Sequence, residues 1–188
     1  MEQVREASYA ELGTVEIQVR ILKNESDFFR TRLRLPDFLL RRKIRYVIKV
    51  NPEVFERQAP EEGLKAIMAH ELAHVACLKK KKRVQLLGMA RLVSAKFAAG
   101  FERRTDLEAI SRGYGQGLKA YREWLYHHIP EQKLKEKKQN YFSPEEIEAI
   151  TSKTRECPKL LEYWSRKPPR DLQEIEKPPG EAVRLCGS

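Results

Sequence analysis

Residues 60–80 read PEEGLKAIMAHELAHVACLKK, and this stretch organises everything around it. Pro60 suits a first helical position, Glu61 and Glu62 complement the positive end of a helix dipole, and Lys79 and Lys80 complement the negative end. At about 100° per residue, Leu64, Ile67, Met68, Leu72, Val75 and Leu78 form one apolar face, with Ala66, Ala69, Ala73 and Ala76 on its flank. A helix apolar over so much of its circumference is buried. Such a helix has little reason to place His70 and His74 side by side without a partner.

Two histidines one turn apart project from the same side of a helix, so both imidazoles reach one metal, and a neutral imidazole nitrogen is a good donor to Zn2+. Glu71 points about 100° round the helix, where it accepts a proton from water rather than binding the metal. A catalytic zinc takes three protein ligands and leaves one position open, and HELAH supplies two. The third is expected from a following helix, as Glu102 in the run FERRTD over 101–106. Asp106, one turn beyond Glu102, is placed to take the second N–H of a ligand imidazole, His70 being the expected partner. Glu108 is the reserve ligand. The ordinary alternative for Glu102 is an ion pair with Arg103 or Arg104. His127 and His128, adjacent near a helix end, read as surface residues.

Outward from this core, residues 15–21 and 44–50 alternate apolar with polar and read as strands. Residues 26–35 read as a helix ended by Pro36. Downstream, helices are expected over 84–99 and 101–112, broken near Gly100, with Gly113 as the stop of the second. A further helix over 117–129 ends at Pro130, and the charged stretch 133–138 follows. Ser143, Pro144 and Glu146 form a capping-box start. A last short helix over 158–166 precedes the proline pairs 168–169 and 178–179, and the tail reads as extended or disordered. The division expected is a catalytic unit over 1–152 and a C-terminal helix and Pro-rich tail over 153–188, the latter a candidate regulatory element.

The 37 basic and 27 acidic residues leave a formal charge of +10, which favours anionic partners without choosing among them. Three widely spaced cysteines, Cys77, Cys157 and Cys186, form no CxxC pair. They indicate neither a disulfide framework nor a thiolate metal site, and a reducing, cytoplasmic compartment fits them. The polar opening 1–13 is no signal peptide. The most apolar stretch, 86–101, contains Arg91 and Lys96 and is too short and too charged to span a bilayer. Preceded by the basic run 79–83, it is instead a candidate for peripheral contact with an anionic membrane.

HELAH followed by FERRTDLEAISRGYGQGL and by YFSPEEI resembles the minigluzincins, small soluble zincins similar to the catalytic domains of membrane-integrated metallopeptidases of the Ste24 and HtpX type. The resemblance covers roughly residues 44–150. It implies an α+β, zincin-like (gluzincin) fold, mainly helical with a small N-terminal mixed sheet. It also implies a zinc peptidase with His70, His74 and Glu102 on the metal, Glu71 as general base and acid, and Asp106 behind His70. The strand over 44–50 would border the cleft and pair with an extended peptide substrate. For the oxyanion donor, Tyr114, Tyr121, His127, His128 and Arg104 stand as unordered candidates. Two other readings compete. One is a latent scaffold whose cleft is covered by the tail, with Cys186 as a blocking thiolate. The other is a nucleic-acid-associated, SprT-like protease holding phosphates with the runs 79–83 and 133–138. Against this last reading, those runs lack interleaved aromatics and SprT-type sites take a third His.

Overall fold

The computed structural model describes residues 1–23, 27–34, 37, 44–82 and 95–186. In chain order the elements are α1 (Glu2–Ser8), β1 (Ile17–Ile21), β2 (Phe29–Leu33), β3 (Tyr46–Val50), α2 (Glu53–Glu56), α3 (Glu61–Lys79) and α4 (Ala95–Ala109). There follow α5 (Gly115–His128), α6 (Glu131–Asn140), α7 (Pro144–Glu156), α8 (Lys159–Arg166), α9 (Leu172–Glu176) and α10 (Gly180–Cys186). The described chain is thus mostly helical with one small mixed sheet.

The sheet order is β1-β3-β2. β1 runs parallel to β3, from Ile17↔Tyr46 to Ile21↔Val50, and β2 runs antiparallel to it, from Phe29↔Val50 to Leu33↔Tyr46. Two expectations are corrected here. The stretch expected as a helix over 26–35 contains β2, because Phe29 and Thr31 alternate with Arg30 and Arg32 at the period of a strand and β3 supplies a pairing edge. The strand over 44–50 is central and paired on both sides, so it has no free edge for a substrate. The strand that reaches Glu71 of the histidine helix is β2, whose Thr31 hydroxyl donates 2.6 Å to the Glu71 carboxylate.

α3 is buried because it feeds three apolar clusters. Leu72, Val75 and Ala76 pack with Ile48 and with Tyr9 and Leu12 from the N-terminal segment. Ala66 packs with Leu107, Leu118, Ile147 and Ile150. Ile67 joins Phe28, Val54, Tyr121 and Trp124. Where α3 crosses α5 the backbones nearly touch: a Cβ at Gly117 would stand 2.4 Å from the Glu62 carbonyl oxygen, so only glycine fits. This contact fixes the depth of α5 against the histidines.

α4 runs through Gly100 without the expected break. The interruption comes later, in the wide turn Ile110–Tyr114, where Gly113 adopts φ +91°. The remainder of the helix expected over 84–99, residues 84–94, lies outside the described residues. The charged stretch 133–138 is helical as part of α6. The capping box forms as expected, Glu146 N donating 3.2 Å to Ser143 Oγ and Ser143 N donating 2.7 Å to Glu146 Oε2. No helix among the described residues is long and apolar enough to cross a membrane.

The tail is not extended. It forms α9, capped by Asp171 through the Glu174 N–H at 2.9 Å, and α10. Ile175 and Ala182 are fully buried in the same cluster as Ala66 and Trp164. α7 runs unbroken across residues 152 and 153. Cys157 and Cys186, 29 positions apart in sequence, form a disulfide with Cα atoms 5.6 Å apart. That corrects the expectation of unpaired cysteines and removes Cys186 as a blocking thiolate. It also removes the cysteine pattern as an argument for a reducing compartment, since disulfides persist mainly in oxidising ones.

Candidate metal centre

α3 presents His70, Glu71 and His74, which are 1%, 4% and 8% exposed. The two imidazoles meet edge to face with centroids 4.7 Å apart. α4 brings Glu102 against them: its Oε2 lies 3.2 Å from His70 Nε2 and 3.1 Å from His74 Nε2. The three ligand atoms offered by His70, His74 and Glu102 all lie within 4.8 Å of one another. Two imidazoles and a carboxylate converging from a buried helix pair match the donor set of a three-ligand catalytic zinc, so the residues present fit the metal.

The opposite ring nitrogens are held from behind. Nδ1 of His70 lies 2.7 Å from Oδ1 of Asp106, an ion-pair contact off the line of a straight hydrogen bond. Asp106 is fully buried and takes two further donors, Arg122 Nη2 at 3.1 Å and the Phe142 N–H at 3.2 Å. Nδ1 of His74 lies 3.4 Å from Thr105 Oγ1, whose own hydroxyl proton goes to the Phe101 carbonyl at 2.9 Å. Both Nδ1 atoms therefore face acceptors, and both Nε2 atoms converge on Glu102 Oε2, where they would share a cation with it.

The electrostatics follow from this packing. Burial opposes a charged His70, but the Asp106 and Glu102 carboxylates outweigh it and raise its pKa to about 9. Burial likewise opposes the Glu102 carboxylate, and the imidazoles of His74 and His70 outweigh it and hold the carboxyl well below its usual range. Asp106 is lowered against its burial by Arg122, His70 and the Phe142 N–H. The cluster is a field that favours positive charge between the two histidines.

Glu71 adjoins a cavity of about 20 Å³ that it shares with Phe29, His70, Tyr121, Lys137 and Tyr141. α6 contributes Lys137, whose Nζ lies 3.2 Å from Asp27 Oδ1 in the segment before β2, while Arg30 pairs with the other Asp27 oxygen. α6 is thereby strapped across the Glu71 side of the site.

The structure brings together every residue expected on the metal side: His70, His74, Glu102, Asp106 and Glu71. Neither neighbouring arginine pairs with Glu102. Arg103 binds Glu146 at 3.3 Å and the Pro169 carbonyl at 3.1 Å, and Arg104 binds the Arg166 carbonyl at 3.1 Å. The reserve ligand Glu108 pairs with Arg112 instead, at 2.7 Å. Of the expected oxyanion donors, Tyr121 lines the cavity. Tyr114 is bonded to Ser8 Oγ at 2.9 Å, and His127 and His128 are bonded to the carbonyls of Glu123 and Trp124. Three residues were missed. Thr105 was readable as the threonine inside FERRTD, whereas Arg122 and Tyr141 carry no local pattern and are placed by long-range contacts with Asp106 and His70. Comparison with known protein families, with curated proteins and with solved structures returns no match.

Proposed function

We propose that this chain is a zinc-dependent metallopeptidase of the gluzincin type, similar to the minigluzincins, with a zincin-like arrangement of the mixed sheet beside α3. The observation that carries the reading is the convergence of His70, His74 and Glu102 on one point with Glu71 adjacent on the same helix. A zinc ion held there supplies the Lewis acidity that brings the pKa of a water near neutrality. Glu71 takes the proton of the attacking water and returns it to the leaving amine of the scissile peptide. The Thr31 hydroxyl, 2.6 Å from Glu71 Oε2, fixes the orientation of that carboxylate. Asp106 and Thr105 keep the ligand imidazoles from rotating. β2, an edge of the described sheet, takes the place first expected for the strand over 44–50: a substrate in extended form adds to it by main-chain hydrogen bonds.

The test is a pair of measurements on the full chain loaded with Zn2+, metal stoichiometry and cleavage of a quenched-fluorescence peptide library. Glu71→Gln is expected to retain zinc and lose turnover, and a variant that still cleaves sinks the assignment.

A latent form of the same enzyme has its own support in the small cavity at Glu71 and the strap of α6 across it. On that reading the cover is α6 rather than the tail, whose described polar contacts reach Arg103 and Arg104. The nucleic-acid reading gains less. Lys133 and Lys137 are engaged with Glu136 and Asp27, and Lys79 donates to the Glu11 carbonyl, so phosphates would compete with partners already in place.

A further inference from the structure

We propose that Tyr141 is a catalytic residue that donates a hydrogen bond from its hydroxyl to the substrate carbonyl as negative charge develops there, and that Arg122 is the residue that positions it. The inference rests on the hydrolytic reading above and adds the donor that reading lacks.

Tyr141 follows α6 directly, its ring lies 5.9 Å from the His70 ring, and it lines the cavity that Glu71 adjoins. Tyr121 lines the same cavity. Of the two, Tyr141 is the one whose ring meets a candidate metal-ligand imidazole, that of His70. A carbonyl oxygen presented to the metal point and attacked from the Glu71 side therefore meets Tyr141.

Tyr141 is also held rigidly. The Arg122 guanidinium lies over the Tyr141 ring at 4.4 Å from its centroid, a cation–π contact that fixes the plane of the ring. Arg122 is itself held by Asp106, 3.1 Å from Nη2. The next backbone N–H after Tyr141, that of Phe142, donates to the other Asp106 oxygen at 3.2 Å. One buried carboxylate therefore anchors the ligand His70, the arginine on the ring face and the backbone beside the ring. Donors of this kind act because they are in place before the charge appears and need no reorganisation.

The chemistry balances without further reagents. Water adds its oxygen to the carbonyl carbon, and the electron pair of the C=O bond moves onto oxygen, where the Tyr141 hydroxyl donates to it and keeps its proton. When the pair returns, the C–N bond breaks and the nitrogen takes the proton held by Glu71.

The experiment compares zinc-loaded full-length wild type with Tyr141→Phe, using a cleaved peptide and, independently of turnover, calorimetric binding of a peptidyl phosphinate whose tetrahedral oxygens mimic the oxyanion. Removing one such donor is expected to lower kcat by about 10²–10³-fold, with KM and zinc affinity near wild type and phosphinate affinity reduced in parallel. Equal kcat and equal phosphinate affinity overturn the role, as does a loss that tracks zinc affinity. Cleavage surviving Glu71→Gln, or a wild type that neither cleaves nor binds the phosphinate, overturns the hydrolytic reading and this one with it. For positioning, Arg122→Lys keeps a cation beside Asp106 but loses the flat face over the ring. It is expected to melt near wild type, to keep KM, and to lower kcat by about tenfold, with no further loss when combined with Tyr141→Phe. Losses that simply multiply show that Arg122 does not act through Tyr141.

Discussion

Replacing Asp106 by Asn tests whether one buried carboxylate organises the centre. Asp106 is fully buried and faces Arg122, which is 2% exposed and has Asp106 as its only ion-pair partner among the described residues. Asn keeps the shape and one acceptor but removes the charge, leaving a buried guanidinium unpaired. Breaking such a pair from one side costs about 3–5 kcal/mol, and the retained acceptor favours the lower end. At roughly 2–4 °C per kcal/mol for a chain of this size, a loss of about 3 kcal/mol moves the midpoint down by about 6–12 °C. The same change frees the ring of His70, and loss of such a supporting carboxylate typically weakens metal binding about 10–100-fold. Urea unfolding of the metal-free chain gives the first quantity, and competition with a chromophoric chelator gives the second. Glu108→Gln is the control, since its pair with Arg112 is 41% exposed on the carboxylate side and surface pairs contribute about 1 kcal/mol or less. A loss for Asp106→Asn no larger than the control's, with zinc affinity unchanged, refutes the reasoning.

Three further expectations concern the strap and the tail. Asp27→Asn or Lys137→Met releases α6 from the segment before β2, so kcat/KM for long peptides rises while zinc content stays constant; unchanged rates show that the strap does not limit access. Lys137 and Arg30 outweigh the burial of Asp27 and hold its carboxyl below the usual range. The strap is therefore formed above the ordinary aspartate value of about 3.9 and is lost as pH falls through the lower folded value, which hydrogen exchange of α6 follows as pH is lowered. Cutting the Cys157–Cys186 disulfide, which joins positions 29 residues apart, removes a loop constraint of about 3.5 kcal/mol. Reduced and oxidised protein should differ in melting temperature but not in zinc stoichiometry, and a metal loss on reduction contradicts the separation of tail and centre.

The parts legible in the sequence are those set by local geometry. His70, Glu71 and His74 are fixed relative to one another by helix pitch alone, as are Glu102 and Asp106 on α4, and the capping box at Ser143 is a contact between residues three apart. What failed depended on distant partners. β2 was hidden because Phe28 and Phe29 together blur a period of two, and the strand exists through its ladder with β3. The proline pairs of the tail suggested extension, yet Asp171 caps a helix between them and the disulfide with Cys157 returns the end of the chain to α7. Tyr141 could not be chosen from sequence because its distance to His70 is set by an N–H one residue later, bonded to a carboxylate on α4.

The strap over the Glu71 side has a mechanical corollary. α6 is a ten-residue rod bounded by extended backbone at Pro130 and Tyr141, so it can hinge as a rigid body and keep its internal hydrogen bonds. Swinging it away breaks the ion pair with Asp27, while Phe142, just past the hinge, stays bonded to Asp106. The Tyr141 N–H, however, donates 2.9 Å to the Lys137 carbonyl, and Lys137 Nζ lies 5.0 Å from the Tyr141 ring centroid, so on the reading proposed above door and oxyanion post are hung on the same hinge and a swing of one pulls on the other.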